Sequence, residues 1–131
     1  MSINAKSKAK LIAKLALDKK AEDLVVLDMT KTGNFCDYFV ISSASSHRQV
    51  KAIADNIKDG FEKESIYLRS VEGQAESGWT LVDCADVVAH IFYSPTREFY
   101  NLERLWQDAP RVKLLAEKRK NVRKAGRRKS K

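Results

Sequence analysis

Thiols are scarce in this chain. Its two cysteines, Cys36 and Cys84, lie far apart, and neither has a second cysteine or a histidine at ligand spacing, which argues against a zinc module or a disulfide scaffold and for a reducing compartment. No hydrophobic run reaches the length that spans a membrane, and the lysine-bearing N-terminus is not followed by a signal-peptide core. The expectation is a soluble, cytoplasmic protein with no membrane partner. No Gly-rich phosphate-binding turn precedes any strand-like segment, and there is no internal repeat. What is present suffices for one domain: 131 residues, 44% of them apolar, can bury a core without staples.

Charge is divided unevenly. The formal +8 comprises a C-terminal segment, residues 111–131, with eleven Lys/Arg against Glu117 alone, and residues 1–20 with six lysines against Asp18. The remaining 8 basic and 15 acidic residues give the middle a charge of −7. An acidic body with basic ends suits a partner that offers both cationic protein and phosphate. The domain is taken as residues 1–110 and the basic tail as 111–131, the one low-complexity segment.

Periodicity places the elements. Residues 5–20 read as a helix with Leu11, Ile12, Leu15 and Ala16 on its apolar stripe and Lys6, Lys10 and Lys14 on another face. "DLVVLDM" (23–29) and "DYFVISS" (37–43) read as strands bounded by Asp28 and Asp37. Ser46 with Gln49 marks a helix start, and Val50, Ile53, Ala54, Ile57 and Phe61 give that helix its buried face. "IYLRSV" (66–71) is expected as a third strand, parallel to the second. Ser94-Pro95 opens a last helix, the serine capping it and Pro110 ending it, with Phe99, Leu102, Leu105 and Trp106 inward and Arg97, Tyr100 and Arg104 outward.

The most apolar run, "ESGWTLVDCADVVAHIFY" (76–93), reads as a hairpin turning at Cys84-Ala85, with apolar residues on both faces as in a strand covered on both sides. That register sets Asp83 opposite Asp86 and Trp79 opposite His90. Cys84 and His90 then stand more than about 12 Å apart along the ladder, too far for a nucleophile pair. Cys84, between two carboxylates, is expected as a structural thiol; His47 is a surface residue after a helix cap. Two aspartates facing each other cost up to about 1 kcal/mol, and no neighbouring Lys or Arg in sequence offsets them. Either a metal or a basic partner protein could supply the missing cation; a catalytic metal pair would want a third carboxylate.

"GWTLVDCADVVAHIFYSPTREFYNLERLW" closely resembles the signature of the ribosomal silencing factor (RsfS, or Iojap) family, and "AEDLVVLDM", "CDYFVISSASSHRQVKAIADNI" and "EG" extend the likeness over roughly residues 5–110. Cys84 stands where the family usually has an aromatic, and the tail lies beyond the pattern. The resemblance implies a single non-catalytic α/β domain, with a mixed, roughly five-stranded sheet, helices on its faces and nucleotidyltransferase-like topology. It further implies binding to the large ribosomal subunit through ribosomal protein L-fourteen, which blocks joining of the small subunit and silences translation, without cofactor or metal. It leaves open homodimerisation of the free protein. On this reading Trp79, Asp83, Asp86 and Tyr100 meet the ribosomal protein, while Lys118, Arg119, Lys120, Arg123, Lys124, Arg127 and Arg128 reach rRNA phosphates. The rivals are an rRNA-binding large-subunit assembly factor dominated by the tail, and a metal-dependent nucleotidyltransferase using Asp83 and Asp86.

Overall fold

A computed structural model describes residues 4–31, 36–74, 77–100 and 110–112, with side chains described to Arg97 in the last helix. Among them the order is α1 (Ala5–Leu17), β1 (Glu22–Asp28), β2 (Tyr38–Ala44), α2 (His47–Lys63), β3 (Ser70–Gln74), β4 (Trp79–Asp83), β5 (Val87–Tyr93) and α3 (Ser94–Tyr100). The strands form one mixed sheet in the order β1-β2-β5-β4-β3. Only β2 and β5 run parallel as neighbours, and the other pairs are antiparallel.

Local chemistry sets the helix starts. Asn4 caps α1 by accepting from Ser7 N–H at 2.8 Å, and Ser46 caps α2 by accepting from Gln49 N–H at 3.1 Å. The Gln49 side chain accepts from Ser45 instead of closing a box on Ser46, and its amide donates to the carbonyls of Lys19 and Lys20. One glutamine thus ties the start of α2 to the turn after α1. Ile12, Ala13 and Ala16 of α1 and Val50, Ile53, Ala54, Ile57 and Phe61 of α2 are buried against the sheet face carrying Val26, Val40, Val82, Ala89 and Ile91. Leu27, Met29, Cys36, Ile41, Val88 and Phe92 form a second cluster, with Val25, Phe39, Trp79 and Leu81 half-buried against it.

Three expectations about the elements need correction. The third strand begins at Ser70, four residues later than read, because residues 66–69 lead along the end of α2 where Ile66 and Leu68 pack on the core. It runs in the direction of β2, as read, but with β5 and β4 between them, since β5 takes the place beside β2. The hairpin pairs Trp79 with Phe92, Leu81 with His90 and Asp83 with Val88. That is two residues off the expected pairing, so each side chain keeps its expected face but Asp83 does not face Asp86. Finally, Ser94 is the first residue of α3 and its hydroxyl donates to Ala44 O at 3.1 Å, so it ties α3 to the end of β2.

Arg97 also departs from its expected outward place. It is 8% exposed, and its Nη1 donates to Asp23 O at 2.6 Å and Ser43 Oγ at 2.7 Å. An arginine can be buried this way because the two N–H groups of one Nη1 satisfy two oxygens at once. The side chain of Tyr100, and Leu102, Arg104, Leu105 and Trp106, lie outside the described residues.

Gly73, in the edge strand β3, has φ +81°, and a Cβ there would run into the Trp79 carbonyl. Backbone cannot give way as a side-chain tip can. Gly73→Ala should therefore lower the unfolding free energy in urea by about 1–2 kcal/mol; an unchanged midpoint would mean that β3 can rebuild its bend.

Candidate functional site

The β4–β5 turn is held by short-range hydrogen bonds. Cys84 N–H donates to Val87 O at 2.9 Å, Asp86 N–H to Cys84 O at 3.0 Å, and Ala85 N–H to Asp83 Oδ1 at 2.9 Å. Ala85 adopts φ +75°, the left-handed conformation that a Cβ disfavours. The Asp86 carbonyl accepts from Asp37 and Tyr38, stitching the turn to the start of β2.

Both aspartates already have cations. Asp86 Oδ1 lies 2.7 Å from Lys8 Nζ, which also donates to Cys84 O at 3.2 Å; the Lys8 side chain is 10% exposed and that of Asp86 38%. Asp83 is 3.5 Å from Arg69 Nη1, with side-chain exposures of 18% and 56%. The like-charged turn without an internal partner, expected from neighbouring residues, is therefore overturned. Its compensation comes from α1 and from the segment before β3, both distant in sequence. One signal was available: Lys8 precedes Ile12 and Ala16 by four and eight residues, so it stands on the apolar stripe, where an ammonium needs a carboxylate.

Trp79, Leu81 and Asp83 alternate along β4 on the face turned away from α1 and α2. All three are half-buried. The Trp79 ring stacks on Phe92 at 5.2 Å, and its Nε1–H donates to His90 Nδ1 at 3.3 Å. The expected Trp79–His90 contact exists, but as a diagonal one. With Nδ1 accepting, the neutral His90 ring carries its proton on Nε2, which is buried and has no hydrogen-bond partner among the described residues. Burial pushes the His90 pKa down to about 4.

The nucleophile pair is absent, as expected. Cys84 points into the α1/α2 core while His90 occupies the opposite face. Burial pushes the Cys84 thiol up to about 12, against the pull of Lys8 and with help from Asp83 and Asp86; burial likewise raises Cys36 to about 11. Both thiols stay protonated near neutral pH and are poor nucleophiles. Among the described residues no three His, Cys, Asp or Glu side chains gather into a group that could hold a metal ion. His47 is exposed at the start of α2, its ring edge-on to Tyr93 at 4.4 Å. Of the expected contact residues, then, the structure places Trp79, Asp83 and Asp86 at one end of the β4–β5 hairpin or along it. The Tyr100 side chain and the tail residues Lys118 to Arg128 lie outside the described residues. What this arrangement offers is recognition by shape and charge.

Residues 2–131 match the family described as "Ribosomal silencing factor during starvation", RsfS. This chain belongs to the RsfS family. Among its RsfS relatives, the "Ribosomal silencing factor RsfS" of Bacillus subtilis is 45% identical over 112 residues, 86% of this chain and 95% of that protein. A solved structure from Bacillus halodurans shares 38% identity, with a TM-score of 0.73, and the overlap covers 83% of this chain and 99% of the other. The mouse "Mitochondrial assembly of ribosomal large subunit protein 1" is 30% identical over 108 residues, 79% of this chain and 47% of that protein. The RsfS match also runs through the basic segment beyond Pro110. Among the described residues no helix is long and apolar enough to cross a membrane.

Proposed function

We propose that this chain binds the large ribosomal subunit in the cytoplasm, keeps the small subunit from joining it, and so silences translation by occupying a surface. Membership of the RsfS family carries the reading. The commitments of the polar groups support it: both thiols are held protonated, His90 is held neutral, and Asp86 is engaged by Lys8. The partner we assign is ribosomal protein L-fourteen, met by Trp79, Asp83, Asp86 and Tyr100, with the tail cations reaching rRNA.

Within that surface Asp83 is the informative residue. Its Arg69 partner is more than half exposed at 3.5 Å, so a cation from a partner protein can displace it at little cost. Asp83→Asn keeps an oxygen for Ala85 N–H and removes only the charge. We expect that variant to keep its thermal midpoint, bind isolated L-fourteen protein at least tenfold more weakly, a loss of about 1.4 kcal/mol, and release subunit joining in a reconstituted assay. Binding and blocking at the parent's level would remove Asp83 from the interface. A large-subunit assembly role is the second reading, favoured by the mouse relative's name; accumulation of incomplete large subunits in a deletion strain, with joining unaffected, would select it.

A further inference from the structure

α1 contains no carboxylate. Its charged residues are Lys6, Lys8, Lys10 and Lys14, although the first turn of a helix favours acids and disfavours ammonium groups. Asp86 accounts for Lys8 alone. The other three stand at i, i+4 and i+8, all exposed, each advancing about 6 Å along the axis. That step is comparable to the spacing of successive phosphates on an RNA strand. Lys6 and Lys10 make no ion pair among the described residues, and Lys14 has only the exposed Asp18 at 3.5 Å.

A second observation concerns the chain beyond Pro110. Asp28 N–H donates to Pro110 O at 2.7 Å, Val112 N–H donates to Val26 O at 2.8 Å, and Arg111 bridges Leu27, so this segment lies along the free edge of β1. Val112 packs on the same core as Ile12 and Ala16. α1 crosses β1 and β2 on that face. The basic segment therefore begins beside the strand over which the lysine ridge runs.

We propose that Lys6, Lys10 and Lys14, continued by Arg111, form a ridge that grips the phosphate backbone of a structured RNA. The ridge offers point charges and neither an aromatic nor an arginine fork on the helix itself, so it positions on phosphates without reading bases. A lipid surface fits poorly, because the apolar side of α1 is consumed by the core and nothing remains to insert. An acidic protein fits poorly too, since such interfaces rely on aromatic and arginine anchors. The inference rests on the ribosomal reading only in making the RNA ribosomal.

The test uses the full chain and a short RNA duplex, with fluorescence anisotropy measured across a salt series. Replacing Lys6, Lys10 and Lys14 by glutamine should flatten the log–log salt slope by about two to three units and weaken low-salt binding at least tenfold. Replacement of all three by arginine should preserve both. Glutamine at Lys51, Lys58 and Lys63, exposed on α2, removes the same charge elsewhere and should change the slope less than half as much. Equal effects from the two glutamine variants, or none from the first, would overturn the proposal. So would a ridge variant that keeps RNA binding but loses phosphatidylserine vesicles. If the ridge governs the RNA slope while neither chain sediments with purified large subunits, the ridge stands and the ribosomal reading falls.

Discussion

Asp86→Ala should lower the unfolding free energy by about 2–3 kcal/mol, because it strands the Lys8 ammonium inside the fold. Breaking a buried pair from one side costs about 3–5 kcal/mol; the partial exposure of Asp86 places the expectation below that range. Lys8→Met is the discriminating companion. Methionine fills the aliphatic path of the lysine and leaves a carboxylate that already reaches solvent, so its cost should be no more than about half that of Asp86→Ala. The double variant should be more stable than Asp86→Ala alone, which a cycle of urea denaturations measures directly. If Asp86→Ala unfolds at the parent's midpoint, Lys8 has another outlet and the contact is incidental. The consequence for function is practical: loss of ribosome binding by Asp86→Ala would mix unfolding with recognition, whereas Asp83→Asn separates them.

Where the sequence was legible, one physical signal acted alone. The buried face of α2 follows from Val50, Ile53, Ala54, Ile57 and Phe61, because an amphipathic helix on a sheet leaves a period that nothing else imitates. The Ser46 cap and the strands around Asp28 and Asp37 follow from similarly local chemistry. The hairpin register did not: the pairing is shifted by two residues, which keeps every side chain on its face, so the pattern of apolar residues cannot tell the two registers apart. The loop then decides, and Ala85 with φ +75° carries no glycine to announce it. The third strand was read four residues too early for a different reason: "IYLRSV" has strand composition, but Ile66 and Leu68 are used to pack against the core ahead of the pairing.

At the candidate site the limit was distance along the chain. Asp83 and Asp86 were recognised as charges needing cations, and the structure supplies them from Arg69 and Lys8, the latter 78 residues away. Arg97 repeats the lesson in reverse, since a residue that helical spacing puts outside is drawn in by Asp23 O and Ser43 Oγ. Helical period ranks faces by hydrophobicity, and a satisfied guanidinium escapes that ranking. The motif around Trp79 carried the family; it did not carry the electrostatics of the fold.

His90 should make the domain acid-sensitive in a defined window. The unfolded ring takes up its proton at the ordinary value of 6.5, whereas the buried ring resists it down to about 4. Between those values the unfolded state binds a proton that the native state refuses. Stability is therefore fully present above pH 6.5 and is lost as pH falls toward 4, by about 3 kcal/mol in all. Carboxylates contribute to acid unfolding in any protein, so the comparison must isolate the imidazole. His90→Phe does so: it keeps an aromatic ring beside Phe39 and Trp79, removes the unpartnered Nε2–H, and takes away the acceptor of Trp79 Nε1–H. Those last two changes oppose each other and leave a net difference within about 1 kcal/mol at pH 7. Near pH 4.5 the variant should be the more stable chain by about 2 kcal/mol, so the two stability profiles converge or cross as pH rises. Parallel profiles from pH 7 to 4.5 would mean that the ring is protonated without penalty, and that the sheet face around Trp79 opens to water more readily than its burial implies.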